Sequence, residues 1–244
     1  MRRLLPTPEG AVDLDEAYAW PVGTRCVRGN MVASADGAAV LDDVSGTLSG
    51  PADRRVFAVL RGLAEVILVG AGTVRENYGG VRPTAARRQR RRDTGLADVP
   101  PIAVVSRELA LDAANRLFTD TVVRPMVITC AAAPTDRQAA LADVADVLVA
   151  GEDAVDLGLA LHQLAARGYR RVLCEGSPRL LAAVIAGGHL DELCLTVSPL
   201  LVGGPAGRVL AGPALPEPVG LRLLGVLEQD GALFLRYGRN PPAS

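Results

Sequence analysis

The residues of this chain whose types and spacing suit chemistry are those of two glycine turns and the carboxylate of Asp53. The first turn closes the stretch Val66-Ile67-Leu68-Val69-Gly70-Ala71-Gly72-Thr73. Four apolar residues without a polar break read as a strand buried on both faces. Two glycines then bare the backbone amides, and Thr73 is suited to cap the short helical turn that follows. Such a turn gathers free N–H groups and the positive end of a helix dipole, which together hold an anion. The third glycine and distant acid of a Rossmann fingerprint are missing, so the motif alone does not separate a nucleotide site from an ordinary strand-to-helix turn. A second stretch, Arg171 to Leu181, repeats the pattern, with Ser177 at an N-cap and Pro178 at the first helical position. Two such turns fit one elongated ligand with a pyrophosphate, and a dinucleotide becomes the leading expectation. Asp53 lies in the first turn of a helix opened by Pro51, where an acid is electrostatically favoured and capping is its plainest role.

Composition removes whole reaction classes. The 26 basic residues are all arginine, so there is no Schiff-base lysine, no P-loop lysine and no Tyr-x-x-x-Lys pair. Cys26, Cys130, Cys174 and Cys194 are scattered, mostly within apparent strands, as reduced thiols of a cytoplasmic protein would be. No pair has metal-ligand spacing, and His162 and His189 lie near neither each other nor a cysteine, so no metal site is expected. The net charge of −1 argues against nucleic-acid binding. No run approaches the roughly 18–20 apolar residues that cross a bilayer, and Met1-Arg2-Arg3 has no apolar segment behind it to make a signal peptide. An apolar content of 49% and a mean hydropathy of +0.24 support a substantial core.

The elements that must position these groups follow in order. Residues 1–24, with three prolines, read as an extended arm, and residues 25–240 as a single domain. Strands are expected at Arg25–Ala33, Val66–Val69, Ile102–Ser106, Pro125–Cys130, Val144–Ala150 and Arg171–Gly176. Helical patterns fall at Pro51–Leu63, Thr135–Leu141, Leu157–Arg167 and from Pro178 to the stop at Gly187-Gly188. Arg82 to Pro100 carries six arginines without apolar periodicity or aromatics and reads as a solvated excursion. From Asp191 a long strand precedes a hairpin, Leu221–Leu227 and Leu233–Tyr237, around Gln229-Asp230-Gly231. Alternating strands and helices, then consecutive strands, predict an α/β fold: a mostly parallel sheet with an antiparallel C-terminal edge and helices on both faces.

Residues 25–237 resemble the reductase domain of riboflavin biosynthesis, the RibD C-terminal family, with its dihydrofolate reductase-like fold. The likeness rests on Ser34-Ala35-Asp36-Gly37, the Ser45-x-x-x-Ser49 loop, Leu60-Arg61, Val69-Gly70-Ala71-Gly72-Thr73-Val74, Val172-Leu173-Cys174-Glu175-Gly176-Ser177, and Asp191-Glu192-Leu193 through Ser198-Pro199. It implies NADPH-dependent reduction of 5-amino-6-(5-phosphoribosylamino)uracil to its ribitylamino form, with a homodimer and a small-molecule substrate. By resemblance, Val32, Thr47, Gly70, Gly72, Thr73, Ser106, Arg107, Gly176, Ser177, Pro178 and Leu180 hold the cofactor, with Arg107 on the 2′-phosphate. Ser45, Arg61, Asn77, Tyr78 and Thr196 hold the substrate, and Asp53 and Glu175 are the candidate catalytic acids. The deaminase signature that accompanies many such reductases is not in the sequence.

Three departures bear on the substrate. Thr47 replaces the family's tryptophan in the Ser45 loop. Glu76 to Arg82 lacks the family's run of substrate contacts. Pro51-Ala52-Asp53-x-x-x-Phe57 and Leu195-Thr196 instead resemble the pterin-holding segments of dihydrofolate reductases, whereas Glu175 stands where those enzymes have glycine. A dihydrofolate or dual-substrate pterin/pyrimidine reductase is therefore the alternative expectation, and a non-catalytic NADP-binding protein the second.

Overall fold

A computed structural model of the chain describes residues 1–21, 23–39, 45–75 and 78–240. The N-terminal segment contributes β1 (Arg2–Leu5) and α1 (Leu14–Ala17). Next come β2 (Cys26–Ser34), a 3-10 turn at Ser45–Leu48, α2 (Pro51–Leu63), β3 (Val66–Gly70), α3 (Ala71–Arg75) and α4 (Ala85–Asp93). The middle of the chain gives β4 (Ile102–Val105), α5 (Arg116–Thr119), β5 (Met126–Thr129), α6 (Thr135–Ala142) and β6 (Asp146–Val149). It closes with α7 (Leu157–Ala166), β7 (Arg171–Cys174), α8 (Pro178–Ala186), β8 (Glu192–Ser198), β9 (Leu221–Gln229) and β10 (Ala232–Arg239).

The ten strands form one sheet in the order β1-β9-β10-β8-β2-β7-β3-β4-β5-β6. From β8 to β6 all neighbours are parallel, and β10, β9 and β1 add the expected antiparallel edge. Strand periodicity divides the core in two. Ile67, Val69, Val104 and Leu173 pack with Val56, Val59 and Leu60 of α2, whereas Val66, Leu68, Val172 and Cys174 pack with α7 and α8 on the other face. Each such fully buried aliphatic side chain contributes about 1.5–3 kcal/mol. The chain runs outward from β3 to β6 and then returns to place β7 between β2 and β3. That reversal opens a crevice at the carboxyl ends of the central strands, where open α/β sheets bind ligands.

The structure departs from three sequence expectations. The arm is part of the sheet, because β1 pairs antiparallel with β9 through Arg2↔Glu228 and Arg3↔Leu227. Behind β1, the carbonyls of Tyr18 and Ala19 accept from the fully buried Arg28 guanidinium, which shares Glu192 with Arg236 and lies 4.2 Å from the Trp20 ring centroid. Burial works against the Glu192 charge, but the bonds and charges of Arg236 and Arg28 hold its carboxyl below the usual range.

The arginine-rich excursion is the helix α4, capped by Thr84 Oγ1 on the Arg87 N–H. Its Arg91 is 1% exposed and donates to the carbonyls of Gly62 (3.0 Å) and Ala64 (2.7 Å), closing the C-terminus of α2. Arg87 and Arg90 pair with Asp15, and Arg92 with Asp98. Finally, Thr73 does not cap: α3 begins at Ala71, which puts Thr73 inside it.

Candidate active site

The helix α2 carries a functional cluster at each end. Pro51 starts it and brings Asp53 into the first turn, 9% exposed. The carboxylate bonds no helix amide among the described residues. Its Oδ1 accepts from Thr196 Oγ1 at 2.6 Å and its Oδ2 from Ser49 Oγ. The expected capping role is thereby corrected: two hydroxyls, one from the turn before α2 and one from β8, aim the carboxylate. Two of its roughly four lone-pair positions are used, which leaves acceptor capacity for a ligand. Beside it lies a cavity of about 260 Å³, lined by Thr47, Ser49, Asp53, Thr196, Ser198 and Asp230 among others. Every formal charge in that lining is negative, so the cavity favours N–H donors and cations over phosphates.

Just over two turns further along α2, about 12 Å by helical rise, stands Arg61. Its Nε and Nη2 each donate to Glu175 at 2.7 Å, a bidentate pair. Nη2 also donates to Tyr78 Oη at 2.6 Å, and Tyr78 Oη donates to Glu175 Oε2. The guanidinium carbon lies 4.1 Å from the Phe57 ring centroid and 5.2 Å from that of Tyr78. Burial, then the Glu175 charge, push the Tyr78 pKa well above 10, so the phenol remains a proton donor. Glu175, its side chain 3% exposed, thus spends its oxygens on Arg61 and Tyr78. The structure brings Arg61, Tyr78 and Glu175 into one network and sets Asp53 apart from it.

The two glycine turns meet at the crevice. The Gly70 N–H donates to the Gly176 carbonyl at 2.8 Å, and a side chain at Gly70 would put its Cβ 2.9 Å from Ser177 Oγ. A larger residue there would force the Ser177 hydroxyl to turn away. Above Gly72, by contrast, a Cβ would meet nothing within 4 Å, so this part of the turn faces open space. Gly176 has φ +82 and leads through a cis peptide into Ser177, which occupies the N-cap of α8 without a side-chain cap bond; Pro178 is at N1 and Leu180 is buried. At the end of β4, Ser106 is buried and Arg107 is exposed, paired with its neighbour Glu108 at 2.7 Å. On β2, Val32 is half-exposed and in register with Thr196. Asn77 and the Ser45 side chain lie outside the described residues.

Ser49 and Phe57 are contacts that the residue-by-residue reading missed, although the Ser49/Asp53 spacing of four was visible. Asp36 is a turn residue at the end of β2. Bonds from Ser34 Oγ and the amides of Gly203 and Val202 draw its pKa down to about 2 and tie the segment after β8 to the end of β2.

This geometry accords with what comparison with known proteins finds. The profile of the RibD C-terminal domain matches residues 25–233. The chain belongs to that family. A protein of Methanothermobacter thermautotrophicus named 2,5-diamino-6-ribosylamino-4(3H)-pyrimidinone 5′-phosphate reductase is 32% identical over 182 residues, 74% of this chain and 81% of its own. A protein of the same name from Archaeoglobus fulgidus is 30% identical over 178 residues, 72% of this chain and 80% of its own. A crystal structure of a pyrimidine reductase-like protein from Corynebacterium diphtheriae superposes with a TM-score of 0.84 at 27% identity, covering 94% of this chain and all of that one. The family shares the α/β architecture described above, and no helix among the described residues is long and apolar enough to cross a membrane.

Proposed function

We propose that this protein is an NADPH-dependent reductase of a ribosylamino-pyrimidine 5′-phosphate, converting the ribosylamino group to ribitylamino by hydride addition to a C=N bond. The observation that carries the reading is the Asp53 carboxylate, held by Thr196 and Ser49 against a cavity without cations. An oriented pair of carboxylate acceptors suits the amidine edge of an aminopyrimidine, where a ring N–H and a 2-amino group donate side by side. Of the two pathway forms, the 2,5-diamino-pyrimidinone offers that edge, whereas the uracil presents a carbonyl at the same position and meets repulsion. The proposal therefore favours the 2,5-diamino substrate named for the archaeal relatives.

The turns at Gly70–Thr73 and Gly176–Leu180 fit a dinucleotide, because Gly72 leaves open space over a strand end and Ser177 leaves the first amides of α8 without a side-chain cap. Ser106 and the exposed Arg107 would hold the 2′-phosphate. When bound, NADPH supplies the hydride. The chain's own residues orient and protect: Asp53 fixes the pyrimidine head, Thr196 and Ser49 fix Asp53, and the Arg61–Glu175–Tyr78 network stiffens the far wall of the crevice. We also infer a homodimer, a reading supported by the exposed Leu221 and Leu223 on β9, and a cytoplasmic location, supported by four buried free thiols. Sedimentation of the purified chain tests the first.

The deciding experiment follows NADPH oxidation against the 2,5-diamino-pyrimidinone phosphate, its uracil counterpart and dihydrofolate in parallel. The expected order of kcat/KM places the diamino compound first. Preferred turnover of dihydrofolate, which shares the amidine edge, would establish the pterin alternative. Turnover of none, with NADPH still bound, would leave a cofactor-binding protein.

A further inference from the structure

β2 stands in the middle of the sheet between β8 and β7, with helices packed on both faces. A strand in that position is expected to be apolar and closed to solvent. β2 is closed from Cys26 to Gly29 and again at Ala33–Ser34, yet Asn30, Met31 and Val32 between them are half-exposed. The opening contains one polar side chain, the carboxamide of Asn30, which makes no hydrogen bond among the described residues. A carboxamide offers two donors and an acceptor, and at this half-exposed position they are open to a ligand.

Its direction is fixed by its neighbour. A Cβ on Gly29 would lie 2.9 Å from Leu181 Cδ1, so Gly29 faces α8 and Asn30 faces the α2 side, the side of Asp53 and Arg61. Its place along the strand is fixed by register. Val32 is level with Thr196, the partner of Asp53, and Asn30 is level with Cys194, two residues or about 7 Å back along the floor. On the other side Gly29 is level with Cys174, so Glu175 follows beside Asn30. Asn30 therefore stands between the carboxylate at one end of α2 and the Arg61–Glu175–Tyr78 network at the other.

We propose that Asn30 is a substrate-binding residue that holds the ribosylamino arm through its carboxamide. The inference rests on the reading given under Proposed function, which seats the amidine edge of the pyrimidine on Asp53. A ring held by that edge points its opposite side, with the nitrogen and carbon that are to be reduced, along the floor towards Asn30. A neutral amide suits this position, because it serves hydroxyl and nitrogen partners alike while a third carboxylate beside Glu175 and Asp53 would repel them. The residue then discriminates between substrates with the arm and bare pyrimidines, a task neither acid performs.

The test compares Asn30→Ala and Asn30→Ser with the unchanged protein in three measurements: kcat/KM for the ribosylamino-pyrimidine phosphate, the inhibition constant of the armless 2,5,6-triamino-pyrimidinone, and the dissociation constant of NADPH. The expected result is a loss of about tenfold in kcat/KM, the size of one hydrogen bond, with the other two constants unchanged within twofold. Equal weakening of the armless inhibitor or of NADPH overturns the assignment, as does an unchanged kcat/KM. A second readout needs no turnover: the Asn30 side-chain amide resonances, identified by their loss in Asn30→Ala, should shift when the ribosylamino compound is added and stay put with the armless one. A shift without turnover in the unchanged protein keeps Asn30 as a ligand contact and sinks the reductase reading. Turnover with unmoved resonances sinks the Asn30 assignment alone. Neither turnover nor shift sinks both.

Discussion

Thr196 Oγ1 donates to Asp53 Oδ1 at 2.6 Å across 143 residues of sequence, joining the end of β8 to the first turn of α2. The bond orients a carboxylate that would otherwise have the rotational freedom of a surface acid, and Ser49 restrains its second oxygen. A ligand meeting Asp53 therefore finds both acceptors already in place, and less of the binding energy goes to ordering them.

Replacing Asp53 by asparagine isolates the charge. Asparagine keeps the size and an acceptor oxygen and loses only the favourable charge at the helix start, about 0.3–1 kcal/mol, so the fold should tolerate it. The amide cannot make the paired, charge-assisted contact with an amidine edge. We expect kcat/KM for the 2,5-diamino substrate to fall by at least about a hundredfold. Thr196→Val, which removes only the orienting hydroxyl, should cost about tenfold. Steady-state kinetics on both variants checks the ranking, and an Asp53→Asn enzyme with full activity returns Asp53 to a purely local role.

The Arg61–Glu175 pair predicts a stability effect in place of a specificity effect. Glu175→Gln leaves the guanidinium facing a neutral amide, and the side chain of Arg61 is only 19% exposed. Urea unfolding should show a loss of about 2–3 kcal/mol. Tyr78→Phe removes one hydroxyl but keeps the bidentate pair, and about 1 kcal/mol is the expected cost.

Much of the fold could be read from local pattern, and the failures have definite causes. Val66–Val69 and Arg171–Cys174 are legible because fully buried parallel strands leave uninterrupted apolar runs. Arg91 is not, because an arginine buried against the carbonyls of Gly62 and Ala64 is indistinguishable, by residue type, from its exposed neighbours Arg90 and Arg92. β1 is hidden because its pairing depends on β9, more than two hundred residues later. At the site, Asp53, Glu175, Arg61, Tyr78 and Thr196 could each be named through the resemblance. That Arg61, Tyr78 and Glu175 would close on one another, and that Thr196 would claim Asp53, depends on segments which only tertiary packing brings together.

Cofactor choice turns on Arg107, whose sole ion pair among the described residues is a surface contact with Glu108, worth little in water. Exchange of that partner for a 2′-phosphate is therefore inexpensive. Arg107→Ala should weaken NADPH by roughly 1.5–3 kcal/mol and leave NADH nearly unaffected. Fluorescence titration with both nucleotides decides it, and equal weakening of the two would assign the 2′-phosphate to another residue.

The thiols predict the alkaline limit of stability. Burial pushes Cys26 and Cys174 up to about 12 and Cys194 up to about 11, from an ordinary value of 9.0, with nearby carboxylates adding to the rise. Each raised pKa favours the folded state fully below pH 9, where the thiol is protonated whether the chain is folded or not. Above pH 9 the unfolded chain releases protons that the folded chain retains, so stability falls as pH rises, by about 1.4 kcal/mol per unit for each thiol, until the folded groups themselves ionise near pH 11–12. Chemical denaturation at a series of pH values should show this decline beginning close to pH 9. Between pH 9 and 10, Cys194→Ala should reduce the slope by about one third, because three thiols share the effect there, and above pH 10 the raised Tyr78 steepens it. The same burial predicts that the native protein fails to react with a thiol reagent at pH 8 and that all four cysteines react once it is unfolded. Rapid labelling of one thiol in the native state would show that its segment opens far below the free energy of global unfolding.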